Sequence, residues 1–70
     1  MPLIIKKVEH GYIAEAAYNQ ANIFWKTEAP MAAKKLVRKL LDIGCHQTDI
    51  GDAFKSANPD WLNDIKKTDD

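Results

Sequence analysis

The residues best equipped for chemistry lie together at Gly44-Cys45-His46-Gln47-Thr48-Asp49, where a thiol, an imidazole and a carboxylate follow one another closely. These are the parts of a nucleophilic site, in which an adjacent base activates the thiol, or of a metal site. The spacing does not assemble them. Neighbouring side chains point in different directions along any regular backbone, and no glycine-rich loop nearby offers the N–H groups that an oxyanion or phosphate requires. The other histidine, His10, stands in the opposite half of the chain and would join a cluster only through folding. Cys45 therefore reads as a small buried apolar side chain, and His46 as a loop or capping residue. Asp49 and Asp52, though spaced like a carboxylate pair, fall where the positive end of a helix dipole favours acids in any case. The expectation is a non-enzyme with no catalytic residue, no metal ligand and no cofactor.

Size limits what must position any functional residue. A chain of 70 residues forms one domain and buries only about 60% of the surface that its unfolded form exposes. Each large apolar side chain is thus needed for the core before it is available for function. Apolar residues make up 46% and charged residues 29%, a balance that excludes both a disordered chain and a membrane-embedded one. No apolar run approaches the roughly 20 residues of a spanning helix. The N-terminal MPLIIKKVEH lacks the apolar stretch and cleavage site of a signal peptide. A lone cysteine permits no internal disulfide and suits a reducing compartment. These features together lead to the expectation of a cytoplasmic protein with no membrane partner.

Periodicity then divides the chain. Leu3 to Val8 reads as a strand, Glu9-His10-Gly11 as a tight turn, and Tyr12 to Tyr18 as a second strand of hairpin type. Alternation along that strand puts Tyr12, Ala14, Ala16 and Tyr18 on one face and Ile13, Glu15 and Ala17 on the other. Asn19 to Asn22 reads as a loop and Ile23 to Thr27 as a third strand, with Ile23 and Trp25 on one face and Phe24 on the opposite one. A long amphipathic helix is expected over residues 30–43. Thr27 or Glu28 would cap it, Pro30 would sit in its first turn and Gly44 would stop it. Its apolar stripe is Ala33, Leu36, Val37, Leu40 and Leu41. A shorter helix, capped by Thr48 or Asp49, carries Ile50, Ala53, Phe54 and Ala57. Asn58-Pro59-Asp60 opens a last segment with Trp61, Leu62 and Ile65. The expected fold is α+β: a three-stranded antiparallel sheet followed by one long amphipathic helix and one or two short C-terminal helices. Residues 1–67 form the domain and 68–70 a frayed tail, with fraying expected from Lys66 onward.

Three resemblances attach to these elements. LVRKLLDIG, CHQTDIGDAFKSA and NPDWLNDIKK, from Leu36 to Lys67, resemble the three-helix core of helix-turn-helix DNA-binding domains. That likeness implies that Gly51 is the small residue over which the third helix crosses. It departs from the pattern where DNA would be read, because Asp60 and Asp64 stand near the start of the third segment and would oppose phosphates. AAKKLVRKLL, from Ala32 to Leu41, is similar to the final helix of double-stranded RNA-binding domains, although Lys34 and Lys35 come a turn later here. The overall order of sheet then helices resembles the half-domains of small antitoxin proteins of the HicB type, a likeness of fold that implies no function.

Two surfaces follow as candidates. With the first face of the sheet under the long helix, Ile13, Ala17 and Phe24 would face away. They would be covered by the segment holding Trp61 and Leu62 or left open to another protein or a second copy of the chain. The charge of zero, ten of each sign, conceals a basic middle: Lys34, Lys35, Arg38 and Lys39 are opposed there by Asp42 alone. The expected function is a non-catalytic protein-binding or regulatory module using the outer sheet face. The alternative is a nucleic-acid binder using the basic helix 30–43 or the helix-turn-helix-like C-terminal half.

Overall fold

Alternating and β-branched residues at the N-terminus form the three expected strands; the first has the expected limits, the second extends one residue further at each end, and the third begins and ends one residue earlier. In a computed structural model that describes residues 2–19 and 22–67, β1 (Leu3–Val8) pairs antiparallel with β2 (Gly11–Asn19), and β2 with β3 (Asn22–Lys26), in the order β1-β2-β3. The expected inward side chain of Tyr18, the middle of the second loop and the tail 68–70 lie outside the described residues.

Gly11 is required by more than the turn. Its φ is +141°, and a Cβ placed on it would lie 2.5 Å from the Met31 carbonyl oxygen. That closeness arises because Met31 pairs with the first residues of β2. The Tyr12 N–H donates to Met31 O at 2.8 Å and the Met31 N–H to Tyr12 O at 2.9 Å. After β3 the Thr27 N–H still donates to Ala14 O at 3.0 Å; the chain then leaves the sheet edge over residues 28–30 and rejoins it at Met31.

This rejoining corrects the expected helix start. Pro30 and Met31 precede the helix, Thr27 accepts the Ala14 N–H through its hydroxyl at 3.1 Å and so caps nothing, and Glu28 lies in the same excursion. Helix α1 (Ala33–Asp42) begins after Ala32, which offers no capping side chain. Its end follows the expectation at Gly44. With φ at +99°, Gly44 allows its own N–H to reach Leu41 O and the Cys45 N–H to reach Leu40 O, satisfying two end carbonyls.

Helix α2 (Gln47–Ala57) starts one residue before the expected cap. His46 occupies the capping position without a side-chain bond, and Thr48 and Asp49 fall within the first turn. At eleven residues it is one longer than α1. Asn58 then turns the chain. Its side-chain oxygen accepts the Asp60 N–H at 3.0 Å, opening α3 (Trp61–Lys67), whose last turn includes Lys66.

The layers are two: the sheet, and the helices on one of its faces. α2 packs on β1, α1 on β2, and α3 against α1 and α2, reaching the strands through the Asp64 side chain. Ile5, Tyr12, Ala14 and Ala16 from the sheet meet Ala33, Leu36, Leu40, Cys45, Ile50 and Phe54 from the helical side. The small residues Ala14 and Ala16 let the helices approach closely, and the space is filled by Phe54, edge-on to Tyr12 at 5.0 Å and stacked on Trp61 at 5.1 Å.

The register between β2 and β3 shifts twice, between Ala16 and Ala17 and between Ala17 and Asn19, and the first shift changes the faces of β3. Ala16 pairs with Trp25 but Ala17 pairs with Ile23, so Phe24 is the extra residue of a bulge. The bulge reverses the expected faces. Ile23, expected beneath the helices, shares the outer face with Ala17 and is 50% exposed, whereas Phe24, expected outside, packs with Trp25 against the core.

Candidate functional site

The outer face of the sheet is built by register. Ile4, Glu15 and Lys26 lie in one row across the three strands, Lys6 and Ile13 in the next, and Ala17 and Ile23 in the row on the other side. No helix packs over this face: Trp61, whose segment was one of its two expected covers, stacks on Phe54 on the helical side. Two apolar side chains stand half exposed here, Ile4 at 53% and Ile23 at 50%.

A shallow hollow of about 320 Å³ lies between Ile4, Lys6, Ile13, Lys26, Thr27 and Glu28. It forms where residues 28–30 leave the sheet edge, between the backbone bonds of Thr27 to Ala14 and of Met31 to Tyr12. Its rim carries two cations and two anions, Lys6, Lys26, Glu15 and Glu28, and none of the four makes an ion pair with another described residue. Of the residues expected on this face, Ile13 is half buried and faces it, Ala17 faces it but is nearly covered, and Phe24 belongs to the core. The sequence reading missed Ile4 and Ile23. Ile4 was accessible to it, since it stands between Leu3 and the inward Ile5; Ile23 was hidden by the bulge.

The sequence also gave no notice of a polar cluster at the junction of sheet and α3. The Tyr12 hydroxyl donates to Asp64 Oδ2, Asn58 Nδ2 donates to the Tyr12 oxygen at 3.0 Å and to Asp64 at 3.3 Å, and Lys7 Nζ pairs with Asp64 at 3.2 Å. Lys7 stands directly across from Tyr12 in the strand register and lies 5.0 Å from its ring centroid. Burial, with the Asp64 carboxylate next in weight, pushes the Tyr12 phenol above its ordinary pKa. All four groups satisfy one another, so the cluster acts as a clamp that fixes α3 to the sheet.

Of the residues that opened the chemical reading, the cysteine and the histidines differ in their access to solvent. Cys45 is buried in the core, and burial pushes its thiol upward, away from the reactive thiolate. His46 and His10 are both exposed, His10 in the β1–β2 turn. Among the described residues no three His, Cys, Asp or Glu side chains gather as a metal site, and no helix is long and apolar enough to cross a membrane.

On the opposite side of the molecule from the sheet's outer face, α1 presents the four expected cations. Lys35, Arg38 and Lys39 are exposed and Lys34 is half buried. The helix-turn-helix likeness fares differently. A Cβ on Gly51 would meet nothing nearer than the Trp61 ring at 4.0 Å, so the third helix does not need glycine there, and Asp64 is turned inward to Tyr12. Comparison with protein-family models, with curated proteins and with solved structures finds no match to this chain. The three resemblances rest on residue pattern and element order alone.

Proposed function

We propose that the protein is a non-catalytic binding module that docks another protein on the outer face of its sheet. The observation that carries this reading is the placement of all three helices on one face, which leaves Ile4 and Ile23 half exposed on the other beside Ile13. Charged side chains of both signs that make no ion pair among the described residues surround them. Apolar centre and mixed polar rim are the composition of a docking patch.

Area argues for a different protein as partner rather than a second copy. Three strands about 4.8 Å apart and about five residues long present on the order of 250 Å² in projection. A stable interface takes roughly 800 Å² per partner, so two such faces stacked alone would form a weak dimer. A larger partner can cover the face and also engage the edge of β3 and the excursion over residues 28–30. Rim charges in equal number of each sign make the interaction only weakly dependent on salt.

The test is site-specific photo-crosslinking in the native cell from positions 4 and 23, with position 52 on α2 as control. The reading expects one and the same protein to be captured from both sheet positions and not from the control. Capture from the control alone, or of unrelated proteins from the two sheet positions, refutes it.

A further inference from the structure

We infer that the solvent side of α1 is a second binding surface, which takes the phosphate backbone of a nucleic-acid duplex. This inference is independent of the sheet face, because the two surfaces lie on opposite sides of the molecule.

Lys34 and Arg38 form one i,i+4 ladder along the helix, and Lys35 and Lys39 form another. The four positions span an arc of about 140° at 100° per residue and an axial length of about 7.5 Å. Among the described residues none of the four makes an ion pair. Asp42, the one acid on that side of α1, comes a turn beyond Arg38 and does not neutralise it. The acids Asp49 and Asp52 of α2 face elsewhere, lining a small hollow beside Leu3. The helix that carries the cations is held rigidly, since Leu36 and Leu40 on its other side are fully buried. A fixed row of cations loses less freedom on binding than the same residues on a mobile loop.

Charge density selects the class of partner. Four cations within about 7.5 Å call for a comparable density of negative charge. A duplex carries one phosphate per about 1.7 Å of axis, or roughly four in that length. An extended acidic peptide sets same-side carboxylates about 6.8 Å apart and offers one or two. Arg38 adds a planar fork suited to phosphate oxygens.

Fluorescence anisotropy with a labelled mixed-sequence DNA duplex of about 20 base pairs tests the inference on the full chain, with polyglutamate as competitor. If all four cations engage, affinity falls about 150-fold between about 50 and about 200 mM salt. The fourfold Gln variant, K34Q/K35Q/R38Q/K39Q, is expected to lose binding while its circular dichroism and melting temperature stay those of the parent. Each single change should reduce the salt slope by about one. Failure of the native protein to bind the duplex at low salt, binding by a folded fourfold variant equal to that of the parent, or equal competition by polyglutamate at matched charge would overturn it.

Discussion

Two adjacent residues of β3 should respond oppositely to the same change, and that contrast tests the bulge on which the outer face depends. Ile23→Ser removes a side chain that is 50% exposed and paired only with Ala17 on the open face, so the cost should stay within about 1 kcal/mol, as for most surface changes. Phe24→Ser removes a ring that packs against the core cluster. Full burial of Phe would make truncation cost about 3–5 kcal/mol; for a partly buried ring the expectation is about 2–3 kcal/mol. In a domain of this length 1 kcal/mol moves the melting temperature by roughly 4–8 °C, so Phe24→Ser should melt some 10–20 °C lower and Ile23→Ser only a few degrees lower. Thermal and urea denaturation followed by circular dichroism measure both. An Ile23→Ser variant as unstable as Phe24→Ser would mean that alternation runs unbroken through β3, and the described face would be the wrong one.

Leu40→Ala should cost about 2–5 kcal/mol in the same assay, because Leu40 is fully buried in the core beside Ala33 and Leu36 of the same helix. Gly11→Ala should destabilise by more than about 1 kcal/mol, since the new Cβ meets Met31 O at 2.5 Å at a backbone φ that other residues avoid. Gly51→Ala should be neutral or stabilising by up to about 1 kcal/mol, because the new methyl reaches only ordinary contact with Trp61 while the helix loses a glycine. Stability should fall in alkali. Burial raises the folded-state pKa of both the Cys45 thiol and the Tyr12 phenol, so the folded state holds these protons more tightly. Their contribution is complete below the ordinary thiol and phenol values and is lost as pH rises through the raised ones. The combined Cys45→Ala and Tyr12→Phe variant should flatten that alkaline loss in pH-dependent melts.

Most of the fold could be read from the chain because its determinants are local. The alternation of Tyr12, Ala14 and Ala16, the stripe of Leu36 and Leu40, and Gly44 at the end of α1 each depend on neighbours within a few residues. The failures trace to contacts between distant residues. Helix α1 starts late because the backbone of Met31 is held by Tyr12, a pairing that outweighs the preference of Pro30 for a first turn. The Phe24 bulge has no signature in NIFWK, and it moved Phe24 off the expected binding face and Ile23 onto it. The Tyr12–Asp64 clamp spans 52 positions; only the inward place of Asp64 between Trp61 and Ile65 on a helix hints at a buried partner. The position of α3 against α1 and α2 removes Trp61 and Leu62 as a cover for the outer face, which no local pattern in the sequence could decide.

The central claim is that a protein docks on the face bearing Ile4 and Ile23. Isothermal titration of the crosslinked partner against the Ile4→Glu/Ile23→Glu variant tests it most directly. Both side chains are half exposed, so the variant should keep its fold and melting behaviour. Loss of anchoring residues costs at least about 2 kcal/mol in an interface, so affinity should drop about 30-fold or more. A folded double variant that binds the partner with undiminished affinity would contradict the account.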